Sequence, residues 1–387
     1  MPMRETNVTG VYPPLGLAYI ATVLKKAGYE VRILDVHALG LSDIELKDTI
    51  KASGSDLVGL TATTLFWPKV IKTAKIIRGV LPHSLIVVGG PQLTAYPKES
   101  VSFDFIDMGV YGEGEETTLE IVRKYDQGKN LSNIKGTVVK RDGGIILNPP
   151  RPMIEDLDKV PFPAIELLPY ERYRSLATAQ PFFTMITGRG CPYHCAYCSQ
   201  IYFGKRVRQR SARNVVDEME LYVSEYKAKE LIIFDDVFTL DKKRTLEICD
   251  LIKERDLNFK WNIRTRVDII DEEMLIRLKG AGCYCLHMGI ESGSQRILNL
   301  MRKEITIKQI EEAFKLVKSL GIQTRGYFML GYPGESLKTI KETIEFSRKL
   351  GLDWASYTIT IPHPRTEIYD LALKGGYLKS DYWREYT

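Results

Sequence analysis

Short apolar runs alternate with amphipathic stretches along most of the chain, and this alternation restricts the fold more than any other feature. A run of four to six apolar residues between turn formers suits a strand buried on both faces. An amphipathic stretch after it suits a helix that returns the chain for the next parallel strand. In the first half the pattern predicts strands at 30–35, 57–63, 85–90 and 106–110. It predicts helices at 15–27 (closed by Gly28), 44–52, 68–81 and 117–125. That is an α/β chain with a doubly wound, flavodoxin- or Rossmann-like sheet. Residues 1–9 are polar and do not read as the apolar first strand such a sheet usually has.

The pattern breaks at 130–147, which reads as a β-hairpin turning at Asp142, Gly143 and Gly144. Five prolines between 149 and 163 then mark an extended connector. Strands are predicted again at 182–186, 230–234, 260–264, 285–290, 323–330 and 354–359, with helices such as 215–226, 242–254 and 307–320 between them. Six β-α units in series suggest a partial (β/α)6 TIM-like barrel. The expected division is 1–128, a connector with the hairpin at 129–178, and 179–387. A net charge of +5 from 54 basic and 49 acidic residues does not suggest a nucleic-acid binder. The basic run 205–210 reads as a solvated edge. The apolar stretch 11–24 is too short to span a membrane and lacks a cleavage site, so a cytoplasmic location is expected.

The six cysteines are unevenly placed: none precedes residue 191, and Cys191, Cys195 and Cys198 fall within eight residues. The spacing C-x-x-x-C-x-x-C follows directly after a predicted strand. Three thiolates on one loop suit three irons of a 4Fe-4S cubane, leaving the fourth iron open for chemistry. Gly188 and Gly190 permit tight folding around it. A structural zinc site would need a fourth ligand, for which His194 or Cys249 is available. Core packing is the expected role of Cys249, Cys283 and Cys285.

The triplet, with Tyr197 just before its last cysteine, resembles the radical S-adenosylmethionine (radical SAM) superfamily. The resemblance implies that the open iron chelates S-adenosylmethionine, whose reductive cleavage releases a 5′-deoxyadenosyl radical. It extends strand by strand. Phe234-Asp235-Asp236 stands where the family holds the methionine amine, without the usual Gly-Gly-Glu. Gly289-Ile290-Glu291-Ser292 stands where the family binds ribose. The segment from Gly326 through Gly331 to Glu335 resembles the adenine-side motif, and 361–366 the sixth strand end, with Arg365 at the usual glycine. Implied cofactor contacts are therefore Tyr197, Asp235, Asp236, Glu291, Ser292 and Gly331. Arg264, Arg266 and Lys303 are weaker candidates for the methionine carboxylate.

The first half resembles the cobalamin-binding domain of one radical SAM subgroup. That subgroup includes the magnesium-protoporphyrin monomethyl ester oxidative cyclase and the hopanoid and phosphinate methylases. The matching segments are Pro13-Pro-Leu15-Gly16, Val88-Gly89-Gly90-Pro91 and Tyr111-Gly112-Glu113-Gly114-Glu115. With Thr61 and Thr63, these are the implied cobalamin contacts, since glycines at strand ends let flat backbone approach a planar ring. Asp35-Val-His37-Ala-Leu-Gly40 matches a cobalt-ligating string but sits outside its usual context, so it reads as coincidence. The resemblance implies an enzyme using cobalamin for methyl transfer to, or radical rearrangement of, an unactivated carbon or phosphorus centre. Its partners would be a small-molecule substrate and an electron donor such as flavodoxin or ferredoxin. A radical SAM cyclase or oxidase with a vestigial cobalamin domain is one alternative, and a non-enzymatic cobalamin or cluster sensor another. Methylthiolation fits poorly, because a second cysteine triplet would be needed in the first half. No catalytic side chain stands out from the sequence.

Overall fold

A computed structural model describes residues 10–141, 143–175 and 178–385. The polar start, 1–9, and the turn residue Asp142 lie outside the described residues.

In the first half, α1 (Leu15–Lys26), α2 (Asp43–Ser53) and α3 (Trp67–Val80) accompany strands β1 (Leu57–Thr61) and β2 (Leu85–Gly89). They are followed by β3 (Met108–Val110) and α4 (Glu115–Asp126). Each boundary has a local cause. Ser42 and Glu45 form a reciprocal capping box on α2, and Gly54 ends that helix in the left-handed conformation. Proline enters α3 in its first turn, where its missing N–H costs nothing. Strands β1, β2 and β3 pair in parallel. One sheet face packs Leu46, Ile50, Trp67, Ala74 and Ile77, and the other packs Ile121 and Ile134 against Val87, Met108 and Val110.

The hairpin, β4 (Thr137–Arg141) and β5 (Gly144–Leu147), continues this sheet: β4 runs antiparallel to β3. Segment 30–35 forms no strand. Ladder bonds need a neighbour, and no described strand pairs with it. Its apolar residues still pack, with Ile33 against the second-half core and Leu34 against the first sheet.

The second half is a six-stranded, all-parallel open barrel. Its strands are β6 (Phe182–Met185), β7 (Glu230–Ile233), β8 (Lys260–Thr265), β9 (Cys283–Glu291), β10 (Gln323–Leu330) and β11 (Trp354–Ile359). They lie side by side in chain order. Helices α5 (Ala212–Ser224), α6 (Lys242–Glu254), α7 (Glu272–Gly280), α8 (Ile307–Ser319) and α9 (Leu337–Leu350) cover the outside. Residues two apart share a face. Ile263, Leu286, Met288 and Phe328 sink into the helix-side core, so Arg264, His287, Arg325 and Tyr327 face the lumen. No helix among the described residues is long and apolar enough to cross a membrane.

Trp261, the second residue of β8, is fully buried, its indole N–H donating to the Ala281 carbonyl at 2.8 Å. Trp261→Ala is expected to lower unfolding free energy by about 3–5 kcal/mol, measured by chemical denaturation.

Candidate active site at the barrel mouth

The cysteine loop leaves β6 through Gly188–Arg189, a two-residue ribbon paired with Arg208–Gln209. Gly190 has φ +92°, and a Cβ there would come 2.2 Å from the Arg206 carbonyl, so only glycine fits. The amide of Cys191 donates to Gly204 O, and the Gln200 side chain donates to the carbonyls of Cys191 and Tyr193. The amide of Ala196 donates to Met301 O, pinning the loop to the rim. All six cysteines are unpaired. Burial pushes the Cys191 thiol up, and Cys198 up to about 12, with the charge of Cys195 adding to both. Metal binding would have to displace these thiol protons. Among the described residues no three His, Cys, Asp or Glu side chains gather as a single-ion site requires. A cubane makes a different demand, one thiolate per iron. Cys249, the candidate fourth zinc ligand, is fully buried in the helix-side core, and His194 is exposed.

Residues at the strand ends alternate in direction. Asp235 turns toward the helices, fully engaged by the Thr187 amide and hydroxyl at 2.5 Å each. Asp236 opens to solvent on the lumen side, where its charge reaches Cys191 and Cys198. Glu291 has φ +69° and accepts from Lys303 Nζ at 2.9 Å. That ammonium also donates to the Tyr197 hydroxyl at 3.2 Å. Burial, then the charge of Glu291, raises the Tyr197 phenol well above its ordinary range. Arg266 lies 3.6 Å over the Tyr193 ring and is paired with Asp268. Ser292 is fully buried, close to the Thr343 hydroxyl at 3.1 Å and accepting from the Ser294 amide. Gly331 is exposed at φ +83°, with open space where a Cβ would stand.

The carboxyl-end loops of the first sheet adjoin this mouth. A Cβ on Gly90 would press on Thr61 Oγ1 at 2.9 Å and Ala62 O at 3.0 Å, so that loop is closely seated. Gly16 and Gly112 have open space instead. Thr61 and Thr63 are exposed, as are the apolar Leu65 (50%) and Phe66 (56%) beside them. Gln92, just past Gly90 and Pro91, is fully buried, with neither side-chain amide atom hydrogen-bonded. Open glycines, exposed apolar rings and an unsatisfied amide fit a large planar ligand with polar appendages. His37 does not join them. Its amide donates to Asp35, which caps a single helical turn and accepts from Tyr173 OH at 3.1 Å.

Glu113 and Glu115, expected at cobalamin, turn their carboxylates elsewhere. Arg189 donates to Glu113 at 2.8 Å and to Glu115 at 2.5 Å, and Arg208 donates to Glu113 at 2.9 Å, all with side chains at most 10% exposed. The Ile154 amide donates to Glu113 as well. Burial pushes Glu113 up, but hydrogen bonds from Arg208 and Arg189, with the charge of Arg189, leave it below its usual value. Of the run 205–210, Lys205 and Arg206 are solvated, while Arg208 and Arg210 are buried and paired, Arg210 with Glu218. The solvated-edge expectation fails for these two because buried carboxylates lie within reach.

Residues 185–347 match the Radical SAM superfamily, and residues 5–122 match the B12 binding domain. An uncharacterized methyltransferase of Pyrococcus horikoshii is 37% identical over 99% of this chain and 83% of its own. The chain belongs to the radical SAM superfamily. It lies in the group that carries a B12-binding domain. The anaerobic magnesium-protoporphyrin IX monomethyl ester cyclase of Rubrivivax gelatinosus is 33% identical over 94% of this chain and 67% of its own. The radical S-adenosylmethionine methyltransferase TsrM from Kitasatospora setae, solved with cobalamin and a [4Fe-4S] cluster, shares the fold. Its TM-score is 0.79 at 20% identity, over 94% of this chain and 72% of that one.

The sequence singles out the cysteine triplet and the strand ends but gives no role to Arg189, Arg208, Leu65 or Phe66. The one signal for Arg189 was its place in Gly188-Arg189-Gly190-Cys191. Arg189→Gln would strand the buried Glu115 carboxylate, Glu113 keeping Arg208 and the Ile154 amide, and is expected to cost about 3–5 kcal/mol. Arg206→Gln, removing a pair exposed by 69% and 59%, should cost under about 1 kcal/mol. Urea denaturation of both variants checks this. Because Glu113 sits below its ordinary value, its contribution is full at neutral pH. It is lost as pH falls through the unfolded glutamate value of about 4.3 toward its folded one. Wild type should therefore lose more stability between neutral pH and acid than Glu113→Gln, read from melting midpoints across pH.

Proposed function

We propose that this chain is a cobalamin-dependent methyltransferase acting on a small molecule, with an unactivated carbon or phosphorus centre as the methyl acceptor. One observation carries the reading. The cysteine loop, the Asp236 and Glu291 strand ends and the glycine-lined loops of the first sheet adjoin one another, joined through Arg189. When bound, the cluster with S-adenosylmethionine supplies a carbon-centred radical, and cobalamin supplies the methyl group.

The protein's own residues bind, orient and exclude water. Cys191, Cys195 and Cys198 would hold three irons. Asp236, solvent-facing beside the cysteine loop, suits the methionine amine. Glu291, steered by Lys303, suits ribose hydroxyls, with Tyr197 completing that wall. Gly331 leaves room for the adenine side. Leu15, Gly16, Thr61, Thr63, Gly89, Gly90, Pro91, Gly112 and Gly114 suit the corrin by backbone and small side chains. Asp235, Ser292, Glu113 and Glu115 act one layer behind, holding the loops that make these contacts. The division of labour follows residues 1–128 for cobalamin, 129–178 for connection and 179–387 for radical chemistry. An electron donor such as flavodoxin or ferredoxin in the cytoplasm would complete the system. Similarity to the Rubrivivax cyclase supports a second reading, radical cyclisation without net methylation.

Anaerobic reconstitution tests this. The wild type should take up iron and cobalt and, with reductant, form 5′-deoxyadenosine from S-adenosylmethionine. Serine at Cys191, Cys195 or Cys198 should bring that product to background. Mass spectrometry of products separates methylation from cyclisation. Zinc at the thiols without iron, or no 5′-deoxyadenosine from iron-loaded protein, defeats the proposal.

A further inference from the structure

Three adjacent barrel strands carry basic side chains on one rung. Arg264 of β8 is paired in register with His287 of β9, and His287 with Arg325 of β10. Paired residues of parallel strands share a face. Here that face is the lumen, because the alternate residues Ile263, Leu286 and Met288 lie in the helix-side core. Tyr327, two residues beyond Arg325, shares the face, with its hydroxyl 2.8 Å from His287 Nδ1.

Among the described residues no acid forms an ion pair with this rung, although the charges of Asp235 and Asp236 reach Arg264. Arg264 makes one hydrogen bond, to the Ile233 carbonyl at 3.3 Å, and lies 4.1 Å over the Phe234 ring. Arg325 donates to the Ser356 hydroxyl and lies 5.5 Å from the Tyr327 centroid. Among the described residues neither guanidinium has a carboxylate within ion-pair distance, whereas Arg189, Arg208, Arg210 and Arg266 all do. Both arginines keep partial solvent access. Burial, with the charges of Arg264 and Arg325, lowers His287 to about 3, so the imidazole is neutral at physiological pH. Aromatic stacking fixes the guanidinium planes without supplying an ion-pair partner. Two stacked guanidinium forks with no carboxylate at ion-pair distance are suited to an oxyanion.

We infer that Arg264 and Arg325, with His287 and Tyr327 between them, form a subsite for an oxyanion carried by the substrate, a carboxylate or a phosphonate. The subsite lies deeper in the lumen than Arg266, which sits over the cysteine loop. It rests on the reading of the barrel mouth as the reaction site, and it assigns the chemical class of what enters: an anionic small molecule whose head group docks below the mouth.

The test titrates reconstituted holoenzyme, without reductant and with saturating S-adenosylmethionine, with two probes. Methylphosphonate is followed by phosphorus NMR and acetate by carbon NMR. Saturable line broadening by at least one probe is expected, and which probe binds tells phosphonate from carboxylate. Arg264→Gln and Arg325→Gln should each weaken binding by about tenfold or more. Arg264→Lys and Arg325→Lys, which keep the charge, should retain part of it and serve if the glutamine variants fold poorly. Broadening seen in a parallel titration without S-adenosylmethionine but absent when it is saturating would assign the arginines to that cofactor's carboxylate and overturn the inference. So would broadening indifferent to all four substitutions. Iron, cobalt and 5′-deoxyadenosine assays on the same preparation report on the reaction site itself. A preparation that passes them and binds neither probe overturns the anion subsite alone.

Discussion

A buried guanidinium between two carboxylates connects the two halves of this molecule. Arg189 stands two residues before Cys191, and its partners Glu113 and Glu115 stand at the end of the first sheet. Burying such charges is costly, and only mutual pairing and hydrogen bonding offset it. The geometry is therefore demanding: the cysteine loop and the Gly112–Gly114 loop must meet in one arrangement for the pairing to hold. Rings of Phe203 and Tyr19 at 5.3 Å and 6.0 Å from the guanidinium close the sides. On the other side of the cysteine loop's end, Arg365 reaches the Ala95 carbonyl, a second tie between the halves. Cofactors held by separate domains act together only if the domains keep their spacing, and these contacts set it.

The same period-two geometry explains how neighbouring residues acquire different duties. Asp235 and Asp236 are identical in chemistry and adjacent in sequence. One points outward and braces the start of the cysteine loop through Thr187, and the other points into the mouth. Glu291 and Ser292 divide similarly, the first toward Lys303 and Tyr197, the second into a turn against α9. The lumen rung of Arg264, His287 and Arg325 follows from the same rule applied sideways across strands.

Much of this architecture was legible because short apolar runs and glycine punctuation carry local information. All six barrel strands fall where their runs predict, and the cysteine triplet sits on the loop after the first of them. What was illegible depends on partners distant in sequence. Segment 30–35 has the composition of a strand but no neighbour to pair with. Arg208 looks like any surface arginine until Glu113, about a hundred positions away, is brought against it. Nothing local distinguishes Asp235 from Asp236, since strand phase is set by what the sheet packs against. The Asp35–His37 string shows the converse: a suggestive motif that the fold uses as an ordinary helix cap.

The left-handed backbone at Glu291 has an evolutionary corollary. A non-glycine residue held there costs about 1–3 kcal/mol, and glycine would relieve it. Yet glycine would also abandon the Lys303 ammonium, only 6% exposed, without its anion. Relaxing one penalty incurs the other, so drift at this codon is blocked in both directions. Replacement by glycine is therefore tolerable only if position 303 changes with it.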